Sequence, residues 1–163
     1  YWEGAIDENT PCNPLSQYGV SKNALRQSLF QMTKEKNVNL YWLRAYYILG
    51  DDMKNHSVFT KVLQKDMEGV ETFPFTSGKN LYDFISVDQL AEYIALASTQ
   101  TKVKGIINVC TGNPVSLADK MEEFIKEKGL SIKLEYGAFP DRPYDSPGTW
   151  GDPTKMQEIL KAE

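Results

Sequence analysis

Apolar side chains at Val20, Ala24, Leu25, Leu29 and Met32 recur at the three- and four-residue intervals of one helix face. They predict a helix from Ser16 or Gln17 to about Lys36, ended by Asn37 or Asn39. The period then changes. Residues 38–50 form a near-continuous aliphatic and aromatic run, the pattern of a strand buried on both faces of a parallel sheet. A helix followed by a buried strand is half of a βαβ unit. Helical spacing returns over residues 57–68 (Val58, Val62, Leu63, Met67), 89–99 (Leu90, Ile94, Ala97, with Asp88 as N-cap) and 116–128 (Leu117, Met121, Phe124, Ile125, with Gly129 as C-cap). Short strands are predicted at 71–75, 81–87, 105–110 and 132–136, turns at 50–52 and 77–80, and a last short helix capped by Asp152 or Thr154.

Two stretches carry neither period. Residues 1–16, with Pro11 and Pro14, read as loop. The 139–148 segment holds Pro140, Pro143 and Pro147 beside Asp141, Arg142, Tyr144 and Asp145, which argues against regular structure. Such a loop suits a binding edge or a plain surface connector.

With 41% apolar residues in 163, the chain can bury a core of its own. Its net charge is −4 and no two basic residues are adjacent, so a nucleic-acid partner is not expected. No apolar stretch reaches eighteen residues, so no membrane span is expected. Tyr1-Trp2-Glu3-Gly4 lacks the basic and apolar regions of a secretory leader. Cys12 and Cys110 read as two reduced thiols of a cytoplasmic protein, Cys110 packing as a small hydrophobe. The single histidine, His56, excludes a multi-histidine metal site. The missing initiator Met suggests a fragment or a processed product of a longer protein.

The candidate chemistry lies at the start of the first helix. Tyr18 and Lys22 are four residues apart, one turn apart on one face. An ammonium held near a phenol favours the phenolate and makes it a usable acid/base near neutral pH. The same spacing also occurs on ordinary solvated helix faces, so the pair needs corroboration elsewhere in the chain.

Five stretches supply it, in order: residues 13–22 (NPLSQYGVSK), Leu43-Arg44 through Gly50, residues 82–91 (YDFISVDQLA), residues 105–112 (GIINVCTG) and residues 142–145 (RPYD). Together they resemble the C-terminal half of the extended short-chain dehydrogenase/reductase family, the nucleotide-sugar epimerases, dehydratases and ketoreductases. The resemblance implies an α/β fold: the second half of a Rossmann-type parallel sheet plus a small substrate-binding lobe. Residues 1–50 would form the tail of the Rossmann domain and 51–163 mainly the lobe, with about 105–110 returning to the main sheet.

The resemblance also implies roles. Tyr18 would be the catalytic acid/base, with Lys22 lowering its pKa and binding the nicotinamide ribose of NAD or NADP. Hydride would pass between that cofactor and a sugar carbon, usually C4. Ala45 and Tyr46 would line the nicotinamide pocket. Tyr47, Tyr82, Arg142 and Asp145 would meet a nucleotide-diphosphate sugar, the guanidinium suiting the diphosphate and the carboxylate the ribose hydroxyls. The helix over 16–36 would build a homodimer interface. Arg44 reads as a structural ion-pair partner, Asp83 and Asp88 as capping or loop-tying carboxylates, and Asn108 and Thr111 as partners of backbone groups.

There are departures from the pattern. Tyr82 stands where the family usually has an Arg that reaches the diphosphate, and Tyr47 where it often has Asn. The glycine-rich loop that cradles a dinucleotide pyrophosphate is not found in this sequence. The chain alone is therefore expected to be inactive. Epimerase, ketoreductase and 4,6-dehydratase remain open, as does a non-catalytic module for nucleotide-sugar binding or dimerisation.

Overall fold

The computed structural model describes residues 2–50, 55–142 and 145–162. In chain order it shows β1 (Gly4–Ile6), α1 (Gln17–Lys36), β2 (Tyr41–Ala45), β3 (Tyr47–Leu49), α2 (Val58–Met67), β4 (Thr72–Pro74) and β5 (Leu81–Ser86). Then follow α3 (Val87–Thr99), β6 (Gly105–Val109), β7 (Pro114–Ser116), α4 (Leu117–Lys128), β8 (Lys133–Glu135), β9 (Gly148–Gly151) and α5 (Thr154–Leu160).

The first four helices open alike. Ser16, Ser57, Ser86 and Ser116 sit in extended backbone, and each hydroxyl accepts an N–H three residues on, from Gly19, Thr60, Gln89 and Asp119. The cap of α3 is thus Ser86 and not Asp88, which lies in the first turn, where a carboxylate faces the positive end of the helix dipole. At the far ends, α1 stops on Asn37 and α4 on Gly129, both left-handed (φ 52° and 64°).

The strands pair mostly in parallel, as α/β patterning requires. One sheet runs β1, β9, β5, β3, with β7 joined antiparallel to β5. Two further parallel pairs are β2–β6 and β4–β8. The apolar run over 38–50 is therefore two strands and not one. It breaks at Tyr46, whose ring lies against Gly151 of β9, so that β2 pairs with β6 and β3 with β5. Nor is β2 buried on both faces: Tyr41 through Arg44 are all half-buried. Tyr41 and Leu43 pack against the cluster of Ala97, Val103, Ile107, Met156 and Ile159, while Trp42 faces Lys22 of α1.

The proposed loop over 1–16 contains β1, and the irregular segment ends at Gly148, where β9 begins and pairs with β1. Part of the 50–52 turn and the Pro143-Tyr144 pair lie outside the described residues. The second core lies under α2 and α4 and consists of Phe59, Val62, Phe75, Phe84, Met121 and Ile132. Phe59 meets Phe84 and Phe124 edge-on at 6.0 and 5.4 Å.

Candidate functional site

Tyr18 is the second residue of α1 and is 74% exposed. Lys22, one turn on, leans over the Trp42 ring with its nitrogen 6.0 Å from the centroid. Lys22 and Trp42 line a hollow of about 320 Å³ with Asn13, Arg44 and Cys12. Arg44 donates to the Cys12 thiol at 3.2 Å instead of to a carboxylate, so the expected ion pair is not the contact this side chain makes.

Ala45 ends β2 and is exposed; Tyr46 follows between the strands. Both therefore lie at the carboxyl end of β2, the end at which open α/β sheets bind ligands. Burial raises the pKa of Tyr46 well above the usual phenol range, with Cys110 adding to it.

Tyr47, Tyr82, Arg142 and Asp145 line one cavity of about 500 Å³. They arrive from β3, β5 and the loop before β9. Tyr47 and Tyr82 stand side by side, ring centroids 5.5 Å apart, both backed by Phe84 at 5.0 and 5.9 Å. Burial raises the pKa of both phenols; around Tyr82, Asp145 raises it further and Arg142 opposes. Both are neutral hydrogen-bonding groups at neutral pH. The cavity thus offers an aromatic wall, two phenols, a guanidinium and carboxylates, a set suited to a polar ring compound carrying an anion.

Other lining residues were given no site role from the sequence: His56 just before α2, Lys61 in its first turn, and Phe139 from the loop before β9. Asp141 lines the cavity too, from the proline-rich loop read as a binding edge or a surface connector, and accepts from the Ser77 N–H at 3.0 Å, which ties that loop to the 77–80 turn.

Asp83, on β5, ties that strand to the turn after β6 and to β9. It is 1% exposed and accepts from the Thr111 N–H (2.8 Å) and hydroxyl (2.6 Å), the Gly112 N–H (2.9 Å) and the Gly151 N–H (3.3 Å). The loop-tying reading of Asp83 and the backbone role of Thr111 describe these bonds. Asn108 likewise bonds backbone, giving its amide N–H to the Ile6 carbonyl and its main-chain N–H to Glu8. Cys110 is 2% exposed, and burial pushes its thiol up to about 12.

Among the described residues no group of three or more His, Cys, Asp or Glu is placed to hold a metal ion. No described helix is long and apolar enough to cross a membrane.

Comparison with known proteins gives this geometry a context. The profile of the NAD dependent epimerase/dehydratase family matches residues 3–110. A dTDP-6-deoxy-L-talose 4-dehydrogenase (NAD(+)) from Aggregatibacter actinomycetemcomitans is 48% identical over 93% of this chain and 56% of its own length. UDP-arabinose 4-epimerase 1 from Arabidopsis thaliana is 24% identical over 95% of the chain and 42% of its own length. Among solved structures, UDP-glucuronic acid 4-epimerase from Bacillus cereus in complex with NAD superposes with a TM-score of 0.81 at 22% identity. That match covers 100% of this chain and 50% of the epimerase. The fold is therefore the second half of a Rossmann-type epimerase fold. The chain spans about half the length of the relatives it matches.

Proposed function

Starting from the fact that this chain belongs to the NAD dependent epimerase/dehydratase family, we propose that it is the catalytic and substrate-binding part of an NAD(P)-dependent nucleotide-sugar oxidoreductase or epimerase acting at the sugar C4. The observation that carries this reading is the meeting of Tyr47, Tyr82, Arg142 and Asp145 in one cavity, in a chain whose first helix presents Tyr18 and Lys22. The 48% identity to a dTDP-6-deoxy-L-talose 4-dehydrogenase favours a 6-deoxy sugar nucleotide and the ketone/alcohol interconversion over dehydration.

When bound, the nicotinamide supplies or accepts the hydride. Lys22, with Ala45 and Tyr46 at the carboxyl end of β2, fits the nicotinamide-ribose end of such a cofactor: an ammonium for ribose hydroxyls beside a partly apolar strand end. The pyrophosphate end needs a glycine-rich helix start that this sequence does not supply, so the isolated chain does not turn over. Tyr18 moves the proton at the sugar O4, and Lys22 stabilises the charge left on the phenol oxygen. The cavity holds the nucleotide diphosphate with Arg142 and the ribose with Asp145, while Tyr47 bounds the hexose. Val20, Leu25 and Met32, each 46 to 49% exposed on α1, support a homodimer formed through that helix. A cytoplasmic location suits the two free thiols.

The test is oxidation of dTDP-6-deoxy-L-talose by NAD in the intact protein, followed by nicotinamide absorbance. Turnover is expected, with Tyr18→Phe slower by about 10²–10⁴-fold and nucleotide-sugar affinity unchanged. Tight sugar-nucleotide binding with no hydride transfer would sink the enzyme reading in favour of a binding module.

A further inference from the structure

Among the described residues two permanent cations line the cavity, and different elements bring them. Arg142 comes from the loop before β9; Lys61 comes from the first turn of α2. Neither is in an ion pair among the described residues, where lysine–glutamate pairs do form at Lys65–Glu68 and Lys120–Glu123. One possible acidic neighbour, Asp141, is engaged by the Ser77 N–H. Arg142 acts electrostatically on Tyr82, together with Asp145, and so belongs to the wall made by β5 and the loop. Lys61 comes from the helix whose Phe59 packs against Tyr47 at 6.4 Å between ring centroids. The aromatic rings that line the cavity with them carry no charge.

We propose that Lys61 is a specificity-determining residue that binds the sugar-side phosphate, closing a two-sided clamp with Arg142 on a nucleoside diphosphate. The inference rests on the reading of the cavity as a nucleotide-sugar site. It also accounts for Tyr82: with two cations already lining the cavity, a third from β5 is not needed, and the phenol there serves as a neutral donor. A lysine suits this place because its ammonium is a point charge on a long stem and reaches a phosphate without the planar geometry that a guanidinium demands. A nucleoside monophosphate occupies only the Arg142 side, so Lys61 separates diphosphates from monophosphates.

Calorimetric titration of the intact protein with thymidine diphosphate and thymidine monophosphate tests this. Lys61→Met is expected to weaken diphosphate binding about tenfold and to change monophosphate binding by less than about twofold; Lys61→Arg restores diphosphate binding to within about threefold. Arg142→Ala weakens both nucleotides. If Lys61→Met leaves diphosphate binding intact, or weakens both nucleotides equally, while Arg142→Ala weakens both, the role of Lys61 is overturned and the cavity reading stands. If neither variant changes binding, or the unmodified protein binds neither nucleotide, the cavity reading falls and the clamp with it.

Discussion

The two parts of the proposed site are built differently. The cavity stands over a closed core: Val62 and Met121 are 0% exposed and Phe75 is 2% exposed, with Phe59, Phe84 and Phe124 stacked edge to face beneath its aromatic wall. The helix that presents Tyr18 and Lys22 buries none of its twenty residues. Gly19, Asn23, Arg26, Leu29, Phe30 and Thr33 are half covered and the rest are exposed. The groups proposed to bind thus rest on a closed packing unit, while those proposed for chemistry ride on an element whose apolar face is left largely exposed among the described residues. A site divided as proposed would hold its substrate shape locally and still depend on further protein for chemistry.

Asp83 ties β5, which carries Tyr82 in the cavity wall, to the turn after β6 and to β9, and removing it is the largest expected loss. Its carboxylate satisfies three backbone N–H groups and one hydroxyl around the end of β6 and β9. Asp83→Ala strands those donors in a buried place and is expected to cost about 4 kcal/mol, read as a lower urea midpoint. Asp83→Asn keeps one acceptor and costs about 2 kcal/mol. Equal midpoints for the alanine variant and the unmodified chain would show that these strands are not held together here.

A matched pair sharpens the same contrast at smaller scale. Met121 and Met32 are both helix methionines, one 0% and the other 49% exposed. Met121→Ala opens a cavity in the core beneath the site and is expected to cost about 3 kcal/mol. Met32→Ala on the bare face of α1 is expected to stay within about 0.5 kcal/mol in the isolated chain. A comparable loss at Met32 would mean that α1 is already covered, by a second copy, and the midpoint would then depend on protein concentration.

The limits of α1 were legible because both ends carry side-chain signals, a serine cap and a left-handed Asn37. The strands β1, β7 and β9 were not, since three or four residues are too few to show a period and their partners lie far along the chain. β1 and β9 pair across more than 140 residues, Gly4 with Thr149. The break at Tyr46 was hidden for a related reason: aromatic and aliphatic residues run through both strands, and the contact of its ring with Gly151 leaves no trace in the pattern. Tyr47 and Tyr82 could be singled out only through motif resemblance, whereas Arg142 and Asp145 also stood out in a proline-rich loop that suits a binding edge. Lys61 carried no signal, because a lysine early in an amphipathic helix reads as a solvated position until the fold places it on the same cavity as the loop before β9.

A further effect lies in the alkaline limb of stability. Burial holds Cys110 as a thiol up to about 12, against 9.0 for the exposed group. In the unfolded chain the thiol gives up its proton from about pH 9, while in the folded chain it keeps it. The stabilisation is therefore present in full below pH 9 and is lost as pH rises from 9 towards 12. Tyr47 and Tyr82, also raised by burial, add their own loss from about pH 10 upward. The urea midpoint of the unmodified chain should begin to fall just above pH 9. In Cys110→Ala the fall should begin nearer pH 10, where only the phenols contribute. The two cysteines give an internal check, since exposed Cys12 should react with a thiol reagent in the native state and Cys110 only on unfolding. If the midpoints of both proteins fall together from pH 9, the early loss belongs to another group, and the packing of Cys110 against Gly151 is looser than its 2% exposure implies.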